Sequence, residues 1–371
     1  MLEIDLDALR ANWAKLNATA GAGVECAGVV KAEAYGLGLG EIAAALTAEG
    51  CRTFFTATVE EARRVRLVQP GAKIYVLDGL LPGAVHSYAG FDLRPVLSSM
   101  PEIEEWAAFC RAEGRRRPAA IQIDTGMTRL GVPLDELAAS TTLADDLQAF
   151  ELALVMSHLA CADTPNHPMN ERQRLAFEQG RQLLPAAPAS LANSGGTFLG
   201  PTYLYDLVRP GIALYGGRAF EGGPTPMQPV VRLSARILQV RDAQVSATIG
   251  YGARYTVSKP SRVATIACGY ADGFLRALGS DDARPGPFGY IGDYAVPVVG
   301  RVSMDLITVD VTGVPENLAR RGEWVEMMGN RVTVDDLTDR AGTIGYELLS
   351  RLGTRVHRVY LNHATPPARG A

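Results

Sequence analysis

Lysine is the residue this chain does without. Of 36 basic side chains only Lys15, Lys31, Lys73 and Lys259 are lysine, and the remaining 32 (36 less 4) are arginine. Arginine holds its proton in a protein, whereas lysine can give it up when its surroundings lower its pKa, so few positions can supply an amine nucleophile. No apolar run is long enough to cross a bilayer, and the opening Met1-Leu-Glu-Ile-Asp-Leu-Asp is acidic where a signal peptide is basic. The expectation is a cytoplasmic protein with no membrane partner. Cys26, Cys51, Cys110, Cys161 and Cys268 are odd in number and lack C-x-x-C spacing, which suits a reducing compartment. The five histidines are scattered, so no metal centre is expected. A net charge of -4 with dispersed basic residues leaves no electrostatic footprint for nucleic acid.

What is present is a chain of 371 residues, 47% hydrophobic, enough for a full core in two domains or one large one. Short apolar segments recur at Ala27–Lys31, Thr53–Ala57, Ile74–Asp78, Asp92–Leu97, Ala120–Asp124, Glu151–His158, Ala189–Asn193 and Leu207–Tyr215. Helical patterns lie between them, with start signals at Thr58-x-x-Glu61 and Ser99-Met-Pro-Glu. Eight strands alternating with helices predict an α/β fold, a closed (β/α)8 barrel (TIM barrel), over residues 1–230. Beyond that the pattern becomes β-branched and interrupted, at Val230–Val240, Arg262–Cys268, Tyr294–Val299 and Leu306–Val311, with helical periodicity returning at Val334–Leu352. A mainly β domain is therefore expected over 231–371.

Functional residues of such a barrel sit where strands end and helices begin. Lys31 has that place on the first strand and is a Schiff-base candidate; Asp124, His158, Asn193 and Arg209 have it on later ones. Gly38-Leu-Gly40-Glu-Ile-Ala43 fits the dinucleotide pattern G-x-G-x-x-A, with Glu60 and Glu61 further on, but six residues separate it from the strand end, so helix-start glycines are the better reading. Arg209-Pro-Gly-Ile and Ser194-Gly-Gly, following the last two strands, together suggest a phosphate site. A phosphate site beside an amine-bearing strand points to pyridoxal phosphate. Asp124-Thr-Gly-Met-Thr-Arg129 leaves two readings open: an arginine for a carboxylate or phenolate, or an internal Asp–Arg pair. Alone, Gly269-Tyr-Ala-Asp-Gly273 reads as a turn, Gly300-Arg-Val-Ser-Met-Asp305 as a strand start, and Tyr346 as a packing residue.

Taken together, V-V-K-A-E-A-Y-G at 29–36, D-T-G-M-T-R-L-G at 124–131, M-S-H-L-A-C-A-D at 156–163, A-N-S at 192–194, V-R-P-G-I-A-L-Y-G at 208–216, G-Y-A-D-G at 269–273, G-R-V-S-M-D at 300–305 and T-I-G-Y-E at 343–347 resemble the alanine racemase family across nearly the whole chain. The resemblance implies an isomerase using pyridoxal 5'-phosphate, with a barrel joined to a C-terminal β domain. Lys31 would carry the cofactor and exchange the α-proton on one face. Tyr270 would act on the other, supplied by the partner in a head-to-tail homodimer. Hydrogen bonds would run from Tyr270 through His158 to Arg209 and the pyridine nitrogen, where arginine makes the ring a weaker electron sink than a carboxylate would. Tyr35, Ser194, Gly211, Ile212 and Tyr346 would hold the phosphate. Arg129 and the backbone at Met304 would receive the substrate carboxylate, with Asp163, Arg301 and Ile344 lining the entry.

The same resemblance marks two departures. Many members carry a carbamylated lysine where this chain has Gln122, so Arg129 must be held by something else, such as a bound anion, and the histidine of the K-A-x-A-Y-G-H-G segment is Leu37 here. The substrate would be alanine, for peptidoglycan precursor supply (D-alanine biosynthesis) or for D-alanine catabolism, with serine or another small amino acid as an alternative. A pyridoxal phosphate homeostasis protein on the same barrel would need neither Tyr270 nor a second domain. A nicotinamide dehydrogenase would rest on Gly38–Ala43 alone.

Overall fold

The computed structural model describes residues 1–221 and 225–362. The chain divides into two compact units, one of Leu9–Leu214 with Arg218–Met227, the other of Met1–Ala8, Tyr215–Gly217 and Gln228–Ala371.

The first unit is the (β/α)8 barrel. Seven parallel steps run Gly28–Val29, Thr53–Thr56, Lys73–Val76, Arg94–Leu97, Pro118–Asp124, Glu151–Met156 and Ala189–Ser190. The eighth, Leu207–Val208, pairs in parallel with Glu25–Cys26, the start of the first strand. Backbone bonds from Ala27 N–H to Val208 C=O (3.0 Å), Val29 N–H to Pro210 C=O (3.1 Å) and Arg209 N–H to Ala192 C=O (2.9 Å) close the ring. Strands buried on both faces explain the near-continuous apolar runs; Phe54, Phe55, Ile74, Val76, Val96, Leu97 and Ile121 are fully buried. The helices start where their caps dictate. Thr58 accepts from the Glu61 N–H while Glu61 reaches back, and Ser99 caps Met100–Glu113 with proline in the first turn.

Leu207–Tyr215 is shorter as a strand than its apolar sequence predicts. Pairing ends at Val208, since Pro210 has no N–H to offer, and Ile212–Tyr215 coils into a 3-10 turn.

The second unit is mainly β. The strand Val231–Ala243, 13 residues long, pairs along its first half with Leu2–Asp5 and Trp324–Met328 and along its second with Ser261–Ile266, which in turn pairs with Ile307–Asp310. Leu2–Asp5 also lies parallel to Arg358–Leu361. The acidic opening of the chain is thus a strand of this unit, with Leu2 and Ile4 alternating inward to the core. The helical stretch near the end is two helices, Val334–Ala341 and Gly345–Ser350. No helix among the described residues is long and apolar enough to cross a membrane.

Candidate functional site

One end of the barrel gathers most of the residues singled out from the sequence. Lys31 follows the first strand after the single residue Val30. The four residues after it, Ala32, Glu33, Ala34 and Tyr35, all have left-handed backbone, with φ of 53, 58, 52 and 57°. For L-residues each such step costs roughly 1–2 kcal/mol, so the turn persists only because its surroundings hold it. Bonds from Ala34 N–H to Val30 C=O (2.9 Å) and Gly36 N–H to Ala32 C=O (2.7 Å) close the turn. Glu61 braces it from the next βα unit: one carboxylate oxygen accepts from Glu33 N–H (3.4 Å), the other from Ala57 N–H (2.9 Å). Glu61, which fitted a dinucleotide pattern, is spent on this brace and on its own helix cap. Gly38, with φ of 103°, precedes the helix Leu39–Glu49, and so serves as a helix-start glycine.

The left-handed turn delivers Tyr35 to the end of the eighth strand. A Cβ on Gly211 would lie 2.1 Å from the Tyr35 hydroxyl, so any larger residue there would have to displace Tyr35. Ser194 Oγ accepts from Gly211 N–H (2.8 Å) and Ala213 N–H (3.3 Å), which leaves its own O–H to donate elsewhere. Among the described residues nothing accepts from the Ile212 N–H. Tyr35, Ser194, Gly211 and Ile212 thus line one cradle of donors and close backbone approach, which suits a phosphate.

Arg209 is 4% exposed. Its Nη2 donates to Ser157 C=O (2.5 Å), its Nη1 to Ser190 Oγ, and the guanidinium lies 5.8 Å from the centre of the Phe55 ring. Each Nη has given one of its two N–H groups, and among the described residues nothing takes the Nε–H, so that edge is open to a ligand. Burial pushes the Arg209 pKa down to about 9, and the side chain is still a cation at neutral pH. The expected side-chain hydrogen bond between Arg209 and His158 is not made among the described residues; the Nη groups turn to Ser190 Oγ and Ser157 C=O. The two side chains interact through charge instead. Burial first, then the charges of Arg209, Arg129 and Lys31, bring His158 down to about 3, so its ring is neutral. A buried Gln173 fixes this strand end: its amide donates to His158 C=O (2.9 Å) and to Thr125 Oγ1 (3.1 Å), and Thr125 in turn meets Ser157 Oγ at 2.7 Å.

That low value gives a test in the cofactor-free protein. The unfolded chain binds a proton on His158 near pH 6.5, which the folded protein refuses until about pH 3. Stability therefore falls as pH drops through that window, by ~1.4 kcal/mol per unit. Urea midpoints between pH 7 and pH 4.5 should fall more steeply for the native chain than for His158→Gln. Parallel slopes would show that His158 is not held neutral.

Lys31 meets the same field. Burial lowers its pKa, the Arg129 charge adds to this, and Asp78 and Glu61 oppose it. Its amine is more available near neutral pH than a surface lysine's. Arg129 is exposed and makes no hydrogen bond or ion pair among the described residues. Its loop is set by others: the Asp124 carboxylate accepts from Gly126 N–H (2.9 Å) and Thr128 N–H (3.1 Å) instead of pairing with Arg129. The buried Gln122 amide donates to Leu130 C=O at 2.9 Å, so a direct contact restrains the residue next to Arg129. Leu37 is fully buried.

Asp163 and Asn193 belong to the barrel unit, while Tyr270, Arg301, Met304, Ile344 and Tyr346 lie in the second unit. Tyr270, Met304 and Tyr346 are 40%, 55% and 41% exposed, and Ile344 is more so. Tyr270 opens a 3-10 turn whose N–H groups at 270 and 271 bond to Ser303 C=O (3.0 Å) and Met304 C=O (3.0 Å). A Cβ on Gly269 would fall 2.2 Å from Met304 O, so the glycine before the tyrosine is required by this approach. Sequence reasoning passed over Ser157, Ser190, Gln173 and the bracing role of Glu61. Of these only Glu61 carried a signal, the T-x-x-E cap.

Comparison with known proteins agrees with this arrangement. Residues 4–219 match the family described as alanine racemase, N-terminal domain, and residues 230–360 match alanine racemase, C-terminal domain. An alanine racemase of Methylobacterium sp. (strain 4-46) is 50% identical over 97% of this chain and 97% of that protein. A catabolic alanine racemase of Mesorhizobium japonicum is 49% identical over 97% and 93%. The crystal structure of alanine racemase from Bartonella henselae, which has covalently bound pyridoxal phosphate, superposes with a TM-score of 0.91 at 38% identity, covering 97% of this chain and 99% of that one. The chain belongs to the alanine racemase family.

Proposed function

We propose that the protein interconverts L- and D-alanine with pyridoxal 5'-phosphate, using Lys31 and Tyr270 as the two acid–base groups. The observation that carries this reading is the gathering, at one barrel end, of a desolvated amine at Lys31, the Tyr35–Ser194–Gly211 cradle, and a buried Arg209 with its Nε edge uncommitted. When bound, the cofactor withdraws electrons from Cα and so makes the α-proton removable. Lys31 holds it and exchanges that proton on one face. Arg209 faces the pyridine nitrogen and cannot protonate it, while Ser194, Tyr35, Ile212 N–H and Tyr346 hold the phosphate. Arg129 and the backbone at Met304 receive the substrate carboxylate, and Asp163, Arg301 and Ile344 line the approach.

Tyr270 and Met304, on neighbouring loops of the second unit, together serve the site of a second copy in a head-to-tail homodimer. What supports this is the exposure of Tyr270, Met304, Ile344 and Tyr346, apolar or aromatic groups that a lone subunit would leave in water. The five cysteines are free thiols, which supports work in the cytoplasm. The product serves peptidoglycan precursor supply or alanine catabolism. Serine is a poor alternative substrate, because an apolar pocket rejects an added hydroxyl only weakly.

Purified protein should carry a covalent pyridoxal adduct that borohydride fixes at Lys31, and in heavy water it should wash deuterium into the α-position of both alanine enantiomers. Protein that carries no pyridoxal, or exchange confined to one enantiomer without racemisation, would overturn the reading.

A further inference from the structure

Two acidic residues lie just beyond the two loops of the second unit that the proposed reaction uses. Asp272 follows Tyr270 by two positions and Asp305 follows Met304 directly. One guanidinium joins them: Arg355 Nε lies 3.0 Å from Asp272 Oδ1, and its Nη2 lies 2.8 Å from Asp305 Oδ1. The other oxygen of Asp272 accepts from Gly269 N–H at 2.8 Å, so the carboxylate is tied to the residue just before the tyrosine. We propose that Arg355 is a positioning residue for racemisation, its fork on Asp272 and Asp305 fixing the separation of the Tyr270 loop from the Met304 loop.

The proposal rests on the reading of Tyr270 as an acid–base group and of the Met304 backbone as a carboxylate receptor. In that reading one loop carries the proton and the other holds the substrate that receives it, so their separation sets the transfer distance. Displacement by about 1 Å can cost roughly 10²-fold in rate. The backbone bonds from residues 270 and 271 to Ser303 and Met304 already bring the loops together, but two neutral bonds in short turns allow sliding. A planar fork with two charge-assisted bonds removes that freedom. Arg355 is 52% exposed, as is most of Asp305, whereas Asp272 is 13% exposed. Half-exposed pairs of this kind add little to global stability, so the contribution of the fork is to geometry. Lysine's compact ammonium on a flexible stem lacks the planar fork that holds the two carboxylates at a fixed separation.

The experiment uses the full-length holoenzyme with Arg355→Met, and Tyr270→Phe measured alongside. Hydrogen exchange of the backbone amides at 269–273 and 303–305 should speed up in R355M while the rest of the protein is unchanged. The rate should fall roughly 10- to 100-fold. The α-deuterium isotope effect should rise for the one enantiomer whose proton Tyr270 takes, a change that loss of folded protein cannot mimic. Unchanged exchange in both loops would overturn the positioning role. Faster exchange with no change in isotope effect would also overturn it if Y270F does show the change. If Y270F shows none either, it is the reading of Tyr270 that falls. Should R355M not fold, Arg355→Lys is put to the same measurements with the same two outcomes.

Discussion

Replacing Lys31 by alanine is expected to abolish racemisation, with kcat falling at least ~10⁴-fold, the upper range for loss of an acid–base group, since covalent attachment of the cofactor is lost as well. No other lysine can take over. Lys15 donates to Pro226 C=O at 2.9 Å, Lys73 pairs with Glu25 at 3.4 Å, and Lys259 is exposed in the other unit. Borohydride should then fix no pyridoxal to the protein. A small primary amine added to the solution should restore part of the proton exchange, because the cradle of Tyr35, Ser194 and Gly211 is untouched by the substitution. Activity within tenfold of the native chain would sink the assignment of Lys31.

The second large effect is expected from Tyr270→Phe, which removes one oxygen and keeps the ring. A loss of ~10²–10⁴-fold is the ordinary contribution of a general acid or base. The isotope effect on α-deuterated alanine should become larger from one enantiomer than from the other, since only one proton transfer has lost its partner. If Tyr270 serves the other subunit's site, a mixture of K31A and Y270F subunits dissociated and reassembled at equal amounts will regain activity. Random pairing makes half the dimers mixed, and each mixed dimer has one intact site of two, so about a quarter of native activity should return. No recovery on mixing would refute the shared site.

Most of the barrel was legible because parallel strands buried on both faces leave continuous apolar runs and because the caps at Thr58 and Ser99 announce their helices. Asp92–Leu97 and Ala120–Asp124 needed only small changes at their ends, to Arg94–Leu97 and Pro118–Asp124. Two features were hidden for opposite reasons. Leu207–Tyr215 is apolar throughout, but burial of Ile212–Tyr215 in a 3-10 turn produces the same composition as burial in a strand. Lys31–Tyr35 is built of alanine, glutamate and tyrosine, which favour an ordinary right-handed helix or are neutral to it. Its left-handed course is imposed from outside, by Glu61 of the next βα unit and by the need to bring Tyr35 against Gly211.

The candidate site was legible in the residues gathered at the barrel end and illegible in what orients them. Lys31 stood out through scarcity, and Arg209 with Ser194 through position at the last strand ends. Ser190, Ser157 and Gln173 set the direction of Arg209 and the backbone of His158, yet nothing in their spacing marks them, since their roles exist only once the ends of the fifth to eighth strands are brought together. Gln122 was visible as a departure from a family pattern, but its contact with Leu130 required the loop to be seen.

The pairing of Leu2–Asp5 with Val231–Ala243 has a consequence for how the protein is made. The amine of Met1 bonds to Ser234 C=O across 233 positions of sequence, so this strand leaves the ribosome long before its partner exists. At 5–20 residues per second the wait is roughly 10–50 s, and the parallel neighbour Arg358–Leu361 arrives later still. During that interval Leu2 and Ile4 are an unpaired apolar edge while the barrel segment between them and Val231 can already fold. Glu3 and Asp5, the charges that alternate with them, are then what keeps a waiting strand from pairing with the wrong chain.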